Sequence, residues 1–360
     1  MKAAGSPRVD FGLVLPQLST TWQQTLDAAR YAESIGADSV WVIDHVLGFR
    51  PDGAILEAWT VLSALAACTK RVEIGAQVLC QSFRNPALLA KMTATLDQVS
   101  AGRVRALIGA GWFEPEYRQY GWEFPPGSVR VGQLRDAVRI LRGMLAANGP
   151  FTYQGKHYSV HGAVNTPSPA RTIPIEVGGA GDRMLRLIAA EADGWNCPAS
   201  ALANIKERAE FLARACEERG RTSSELRRTV QIVCAVGDDQ ALQHPALANF
   251  APQLGLVGSV DKAARRMSDL IELGFTGFYC IVHPGLTDAL ALSAWSTTFD
   301  LVSWANRQRV PSCTPCRPYL GRCARMVAVR GREAQPGRGS QALASEATAG
   351  IQLAMRVFRP

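Results

Sequence analysis

Asp44 and His45 leave the apolar run Ser39-Val-Trp-Val-Ile43 side by side. A carboxylate next to an imidazole can position a polar group and move a proton near neutral pH. A strand-terminal Asp capping its own turn beside a surface His fits the same two residues, and the local pattern leaves both readings open. Further along, Gly178-Gly-Ala-Gly181 stands between an apolar run and an amphipathic segment. Glycines at such a junction expose backbone N–H groups at a helix start, which favours an anion, with phosphate the natural guest. The loop has neither the Gly-Lys-Ser/Thr of a Walker loop nor the dinucleotide spacing G-x-G-x-x-G. Gly109-Ala-Gly-Trp112 ends another run. Gly109 and Gly111 either let a flat ligand approach the backbone beside a Trp112 wall, or form a tight turn over a core Trp. In a third run, from Glu73 to Cys80, the polar residues Gln77, Cys80 and Gln81 break the apolar pattern as the lining of a cavity would.

The elements before these residues must hold them. Eight short apolar, β-branched runs, at 11–16, 39–44, 72–79, 104–109, 173–178, 194–197, 229–236 and 277–283, alternate with segments of helical period. Runs so continuously apolar suit parallel strands buried on both faces. Leu89, Met92, Leu96 and Val99 repeat along one helical face with Gly102 as its stop, and Leu134, Val138, Leu141 and Leu145 along another. Eight strand-then-helix units with right-handed crossovers predict an α/β fold, a closed (β/α)8 TIM barrel, with an open doubly wound sheet as the second choice. Insertions follow strand 4, at 113–128 (aromatic and Pro-rich) and at 151–160 (a hairpin around a Gly turn), and strand 7, at 237–259 (irregular). Catalytic groups of a barrel sit where strands end, and each residue named above ends one.

Several segments keep their order over about 300 residues: Phe11-Gly-Leu-Val-Leu-Pro16, Ser39-Val-Trp-Val-Ile-Asp-His45, Arg84-Asn-Pro-Ala-Leu-Leu-Ala-Lys91, Leu96-Asp-Gln-Val-Ser-Ala-Gly-Arg103, Gly109-Ala-Gly-Trp112, Gly155-Lys-His-Tyr158, Ile175-Glu-Val-Gly-Gly-Ala-Gly181 and Ala192-Asp-Gly-Trp-Asn196. Together they resemble the luciferase-like monooxygenase superfamily, in its F420-dependent oxidoreductase branch. The resemblance implies a barrel that binds coenzyme F420, or alternatively reduced FMN, at the C-terminal ends of its strands. It implies that Asp44 and His45 face the cofactor, His45 being the catalytic proton donor or acceptor. A non-prolyl cis peptide at Gln77-Val78 would support the ring, with Cys80 beside it. Gly109, Gly111 and Trp112 would border the ring, and Gly178, Gly179, Ala180 and Gly181 would hold the phosphate. The insertions after strand 4 would close over substrate and set specificity. Some relatives carry a Glu directly after the fourth-strand glycines as a second acid/base. This chain has Trp112 there, with Glu114 and Glu116 later, which argues against a sugar phosphate and for a small apolar or conjugated organic substrate. The alternatives are an FMN- and oxygen-dependent monooxygenase on the same residues, and a flavin-binding barrel without catalysis. A homodimer is a further implication.

Composition narrows the partners. At 360 residues, 47 % hydrophobic and 19 % charged, the chain has the balance of a globular protein with a sizeable core. Its formal charge of +8 raises nucleic acid or an anionic membrane as partner. Ten Arg and only two Glu lie in 306–360, however, which leaves 29 basic and 29 acidic residues before it. A neutral barrel domain at 1–305 and an Arg-, Pro- and Gly-rich tail at 306–360, expected to be disordered, account for that division without nucleic acid or membrane. No leader-like or membrane-length apolar stretch appears, and scattered cysteines in apolar runs read as free thiols of a reducing cytoplasm. Cys313, Cys316 and Cys323 lack a fourth ligand and the histidines lack metal spacing, so no metal is expected. Among the remaining histidines, His283 at the end of the eighth strand alone has a route to the barrel top.

Overall fold

The computed structural model describes residues 8–49, 53–236 and 255–282. The apolar runs become strands β1 (Asp10–Val14), β2 (Ser39–Val42), β3 (Glu73–Ala76), β4 (Leu79–Cys80) and β5 (Val104–Gly109). A hairpin follows, β6 (Phe151–Gln154) with β7 (Ser159–Ala163), and then β8 (Ile175–Gly178), β9 (Gly194–Cys197), β10 (Arg227–Val236), β11 (Gly255–Gly258) and β12 (Phe275–Val282). Among the named strands outside the hairpin every pairing is parallel, in the order β1-β2-β3-β5-β8-β9-β10-β12, and β12 pairs back onto β1. That circuit closes the sheet into the expected TIM barrel, β3 and β4 together forming one interrupted strand against β5. Around it lie α1 (Trp22–Ser34), α2 (Ala58–Cys68), α3 (Pro86–Val99), α4 (Glu114–Gln119), α5 (Gly127–Ala146), α6 (Asp182–Glu191), α7 (Ile205–Glu217) and α8 (Val260–Glu272).

Local chemistry explains the starts. Thr21 and Gln24 form a reciprocal capping box at α1, and Asn85 caps α3 with Pro86 in the first turn, where its missing N–H is harmless. Three expectations change. Val99 is 54 % exposed, because the inner face of α3 is formed by Leu89, Ala90, Thr93, Ala94, Leu96 and Asp97. Each of its two polar members has a hydrogen-bond partner, Thr93 Oγ1 donating to the Leu89 carbonyl one turn back and Asp97 Oδ2 accepting from the Ala170 amide 73 residues on, while Asp97 Oδ1 has none among the described residues. The run at 72–79 is not continuous, since the ladder breaks between β3 and β4 at Gln77 and Val78. Within the stretch taken as irregular, Gly255-Leu-Val-Gly258 is the parallel strand β11, in register with Val233–Val236; four residues between glycines carry too little pattern to be recognised. Residues 237–254, His283 and the tail at 306–360 lie outside the described residues.

The barrel interior is layered. At the N-terminal end, Arg105 pairs with Glu176 and Glu73, and Arg227 pairs with Glu176 and Asp10, so two guanidinium groups bridge three carboxylates. Above them Val14, Trp41, Leu107 and Tyr279 make an apolar layer, the Trp41 and Tyr279 rings 4.2 Å apart. Trp41 fits because Gly12 and Gly75 have no side chain: a Cβ on either would come within 2.6 Å of its ring. The C-terminal ends of all eight strands therefore form a rim above a filled core.

Removing one partner of a buried ion pair strands the other, so Arg105→Met should lower unfolding free energy by about 3 to 5 kcal/mol in urea titrations. Burial already raises the Glu176 carboxyl above its ordinary value against the pull of Arg105. A raised carboxyl favours the folded state at low pH and loses that advantage as pH climbs through its folded value. The deficit of Arg105→Met should thus be smallest at the acid end of the range in which the protein stays folded and grow as pH rises.

Candidate active site

Gln17 fixes the end of β2. Its side-chain amide accepts from the Ile43 N–H (2.7 Å) and donates to the carbonyls of Ile43 (2.9 Å) and Leu56 (2.6 Å). Beyond that clamp Asp44 and His45 part company. Asp44, expected to face the cofactor, has both carboxylate oxygens engaged within the wall: Oδ2 accepts from the Cys80 N–H (2.8 Å), and Arg84 grips both oxygens at 2.8 to 3.1 Å. Arg84 continues to Glu57 (2.6 Å) and lies over the Trp59 ring.

His45 turns toward the rim. Its Nδ1 lies 3.0 and 3.1 Å from the two oxygens of the buried Glu116, which also accepts from the Val46 N–H (3.1 Å). An ionised carboxylate can only accept, so this contact calls for a proton on Nδ1, and in the neutral ring the lone pair then falls on Nε2. Among the described residues Nε2 has no hydrogen-bond partner. The rings of Phe49, Trp112 and Phe113 stand edge-on to the imidazole at 4.9, 5.5 and 6.0 Å, and Phe49 stacks on Trp112. Sequence reading missed the part of Glu116, which reaches His45 from α4 across 71 residues. The only signal was an acidic residue in an aromatic insertion after strand 4. Gln17 and Arg84 were missed too, both being clamps made by long-range contacts.

The Gln77-Val78 peptide is cis, as the resemblance implied. The Val78 methyls rest on Gly109 and Gly178: a Cβ at Gly109 would meet Val78 Cγ2 at 2.6 Å, and one at Gly178 would meet Cγ1 at 2.7 Å. Those glycines therefore seat a side chain of the protein itself. Gly111 adopts φ +77°, and a Cβ there would lie 1.9 Å from Tyr117 Oη and 2.9 Å from Cys80 Sγ. Cys80 Sγ and Tyr117 Oη are hydrogen-bonded at 3.0 Å beneath it, and burial pushes the Cys80 thiol up to about 12, so it stays neutral. In the loop after β8, the Gly179 carbonyl accepts from Trp195 Nε1 (2.7 Å), Ala180 is half-buried and Gly181 is exposed. Gly181 precedes α6 with φ −69° and with open space around its Cα, and the helix start has no side-chain cap. The site residues thus occupy adjacent strand ends, β2, β3–β4, β5 and β8, along one arc of the rim.

The insertions reach this arc differently. The segment at 113–128 brings Phe113 and Glu116 directly to His45. The hairpin is pinned to α5, where Asp136 accepts from the His157 N–H and from Tyr153 Oη, and it touches the rim through Tyr158 Oη donating to Gln81 Oε1 (2.9 Å). Among the described residues no three His, Cys, Asp or Glu side chains gather as metal ligands.

Residues 8–270 match the family model of the luciferase-like monooxygenases. The chain belongs to that family. Among curated relatives, the F420-dependent glucose-6-phosphate dehydrogenase of Kineococcus radiotolerans is 32 % identical over 219 residues, covering 60 % of this chain and 64 % of the relative. The enzyme of the same name from Amycolatopsis mediterranei is 31 % identical over 204 residues, 53 % of this chain and 60 % of its own. The chain thus spans about three fifths of the length of the curated relatives it matches. In fold it is similar to an F420-dependent secondary alcohol dehydrogenase solved with an F420-acetone adduct (TM-score 0.72, 22 % identity, 82 % of this chain and 99 % of that one). The coenzyme F420 dependent tetrahydromethanopterin reductase of Methanopyrus kandleri aligns with TM-score 0.68 at 18 % identity, over 83 % and 99 % of the two chains.

Two expectations test this geometry. In 15N spectra of the imidazoles, His45 should carry its proton on Nδ1, and Glu116→Ala should release that preference so that both tautomers appear. Gly111→Ala should lower stability by more than about 2 kcal/mol, because its Cβ has no room and its φ is left-handed. Gly181→Ala, with open space and an ordinary φ, should stay within about 0.5 kcal/mol of wild type in the same unfolding assay.

Proposed function

We propose that the chain is an F420-dependent oxidoreductase that moves a hydride between the deazaflavin cofactor and a small organic substrate. The observation that carries the proposal is His45, pinned through Nδ1 by a buried carboxylate and open at Nε2, on the rim of a barrel whose curated relatives bear F420-dependent names. The residues present fit such a cofactor. Ala180 and Gly181 offer backbone N–H groups before an uncapped helix, suited to a phosphate, whereas the Gly179 N–H is taken by the Asn196 carbonyl at 3.1 Å. Gln77, Val78, Gly109 and Trp112 would border the flat ring. When bound, F420 would supply a carbon that accepts or returns a hydride.

The chain's own part is the proton. In the oxidising direction His45 Nε2 takes the proton that a hydroxyl sheds as its carbon gives up hydride, and Glu116 stabilises the imidazolium that results. In the reducing direction the same atom returns the proton to a carbonyl oxygen. Asp44 acts by position, holding the Cys80 amide and Arg84 so that the next residue points to the rim. The aromatic edges around His45 favour a small apolar or conjugated substrate over a sugar phosphate, unlike the sugar phosphate in the relatives' names. Six free cysteines among the described residues support a reducing, cytoplasmic setting. No helix among the described residues is long and apolar enough to cross a membrane. The homodimer implied by the family resemblance belongs to the same proposal and is read by sedimentation.

Titrating purified protein with F420 and with FMN tests the cofactor. Binding of F420 with no affinity for FMN is the expected result, and the reverse would reassign the protein to the monooxygenase reading. With F420 bound, activity should appear on a short secondary alcohol or a conjugated enone and not on glucose 6-phosphate. His45→Ala should lower kcat/KM by about 10²- to 10⁴-fold while leaving cofactor affinity within about threefold. Unchanged turnover in that variant would remove His45 from the mechanism, and F420 binding without turnover of any of these substrates would leave only the non-catalytic barrel.

A further inference from the structure

Gln77 holds a polar group that the fold does not use. Its side chain is 4 % exposed, and neither Oε1 nor Nε2 has a hydrogen-bond partner among the described residues. Its backbone N–H donates to the Val42 carbonyl at 2.7 Å, which extends the β2–β3 ladder by one residue past the end of β3. Side chains alternate along that ladder. Glu73 reaches the ionic layer through Arg105, Gly75 lies against the Trp41 ring, and Ile74 and Ala76 pack outward in the main core. Gln77 therefore points inward and is the next layer up, above Trp41 and directly below the rim. The following residue, Val78, is the one seated on Gly109 and Gly178.

A buried carboxamide without partners is destabilising by roughly 1 to 3 kcal/mol, and an apolar residue of the same length would avoid that penalty. An amide presents one acceptor and two donors in a plane. The group that matches it with two parallel hydrogen bonds is another amide or a cyclic imide, in which an N–H lies beside a carbonyl. The pyrimidine edge of deazaflavins and flavins is such an imide, and it is uncharged, as a neutral carboxamide partner suits. We infer that the Gln77 carboxamide recognises the imide edge of the bound tricycle and so sets which end of the ring enters the barrel. This assignment rests on the cofactor reading above. Because F420 and FMN share the imide, Gln77 orients the ring and does not choose between them.

The test uses binding alone. Fluorescence titration of the full-length protein would compare the 8-hydroxy-5-deazaflavin riboside with its N3-methyl analogue, which lacks the imide donor, and FMN with N3-methyl-FMN. Wild type should bind the unmethylated ring about tenfold or more tightly than the methylated one, the factor expected of one buried hydrogen bond. Gln77→Met should bind both forms equally, at the weaker affinity, while the ligand-free protein melts at the same or a higher temperature. Gln77→Glu, which keeps the acceptor for the ring N–H and loses the donor to the ring carbonyl, should bind more weakly than wild type and still discriminate against the methyl group. Wild type that binds without discriminating against the methyl group, or Gln77→Met that keeps wild-type affinity, overturns the assignment and leaves the cofactor proposal standing. Wild type that binds none of the four overturns both.

Discussion

One buried carboxylate organises the rim. Asp44 accepts the Cys80 amide and a two-pronged contact from Arg84, and Arg84 passes the constraint to Glu57. Glu57 in turn caps α2 through the amides of Trp59 and Thr60. The end of β2, the short β4 and the entries to α2 and α3 are thereby tied to a single charged group. A buried ion pair of this kind is a weak source of net stability, because desolvation offsets attraction, but loss of either partner leaves a charge stranded. What it secures is an arrangement. With Asp44 directed into the wall and Ile43 clamped by Gln17, the next side chain leaves toward the rim, where His45 meets Glu116.

The site is therefore assembled in two stages from different parts of the chain. The strands and the Asp44–Arg84 contact set the backbone, and the insertion after β5 then supplies the carboxylate that orients the imidazole. Trp112 and Phe113 stand beside it, their rings 5.5 and 6.0 Å from the imidazole. A proton-transfer group gains from such a setting, since a low-dielectric surround strengthens its interaction with Glu116 while the reacting nitrogen stays accessible.

The barrel was legible in the sequence because strands buried on both faces read as continuous apolar runs, and eight of them alternated with helical periods. The same logic hid what the interior does with charge. Glu73, Arg105, Glu176 and Arg227 lie in or at the edge of apolar runs, and nothing local shows that they neutralise one another across the barrel floor. Val99 continued an apolar period yet faces solvent, because the inner face of α3 tolerates Thr93 and Asp97, each with a hydrogen-bond partner. At the site, residue types and strand ends pointed to His45 and the glycine loop, and the family resemblance to the cis peptide at Gln77-Val78. Glu116, Gln17 and Arg84 act through contacts 26 to 71 residues away in sequence, and no spacing rule reaches that far.

Glycines and buried amides separate what the fold requires from what a ligand requires. Gly12 and Gly75 make room for Trp41, Gly109 and Gly178 for Val78, and Gly111 for the Tyr117 hydroxyl, so each is accounted for by a neighbour inside the protein. Gly181 makes room for nothing in the chain and sits in an ordinary backbone conformation before an uncapped helix. Gln77 holds a buried carboxamide without a partner among the described residues, and His45 is held by Glu116 through Nδ1 with Nε2 left over. These three residues lie on one arc of strand ends, one suited to an anion, one to a neutral planar edge and one to a proton. A molecule that joins a phosphate to a flat imide-bearing ring satisfies the first two and leaves the third free for its reaction partner.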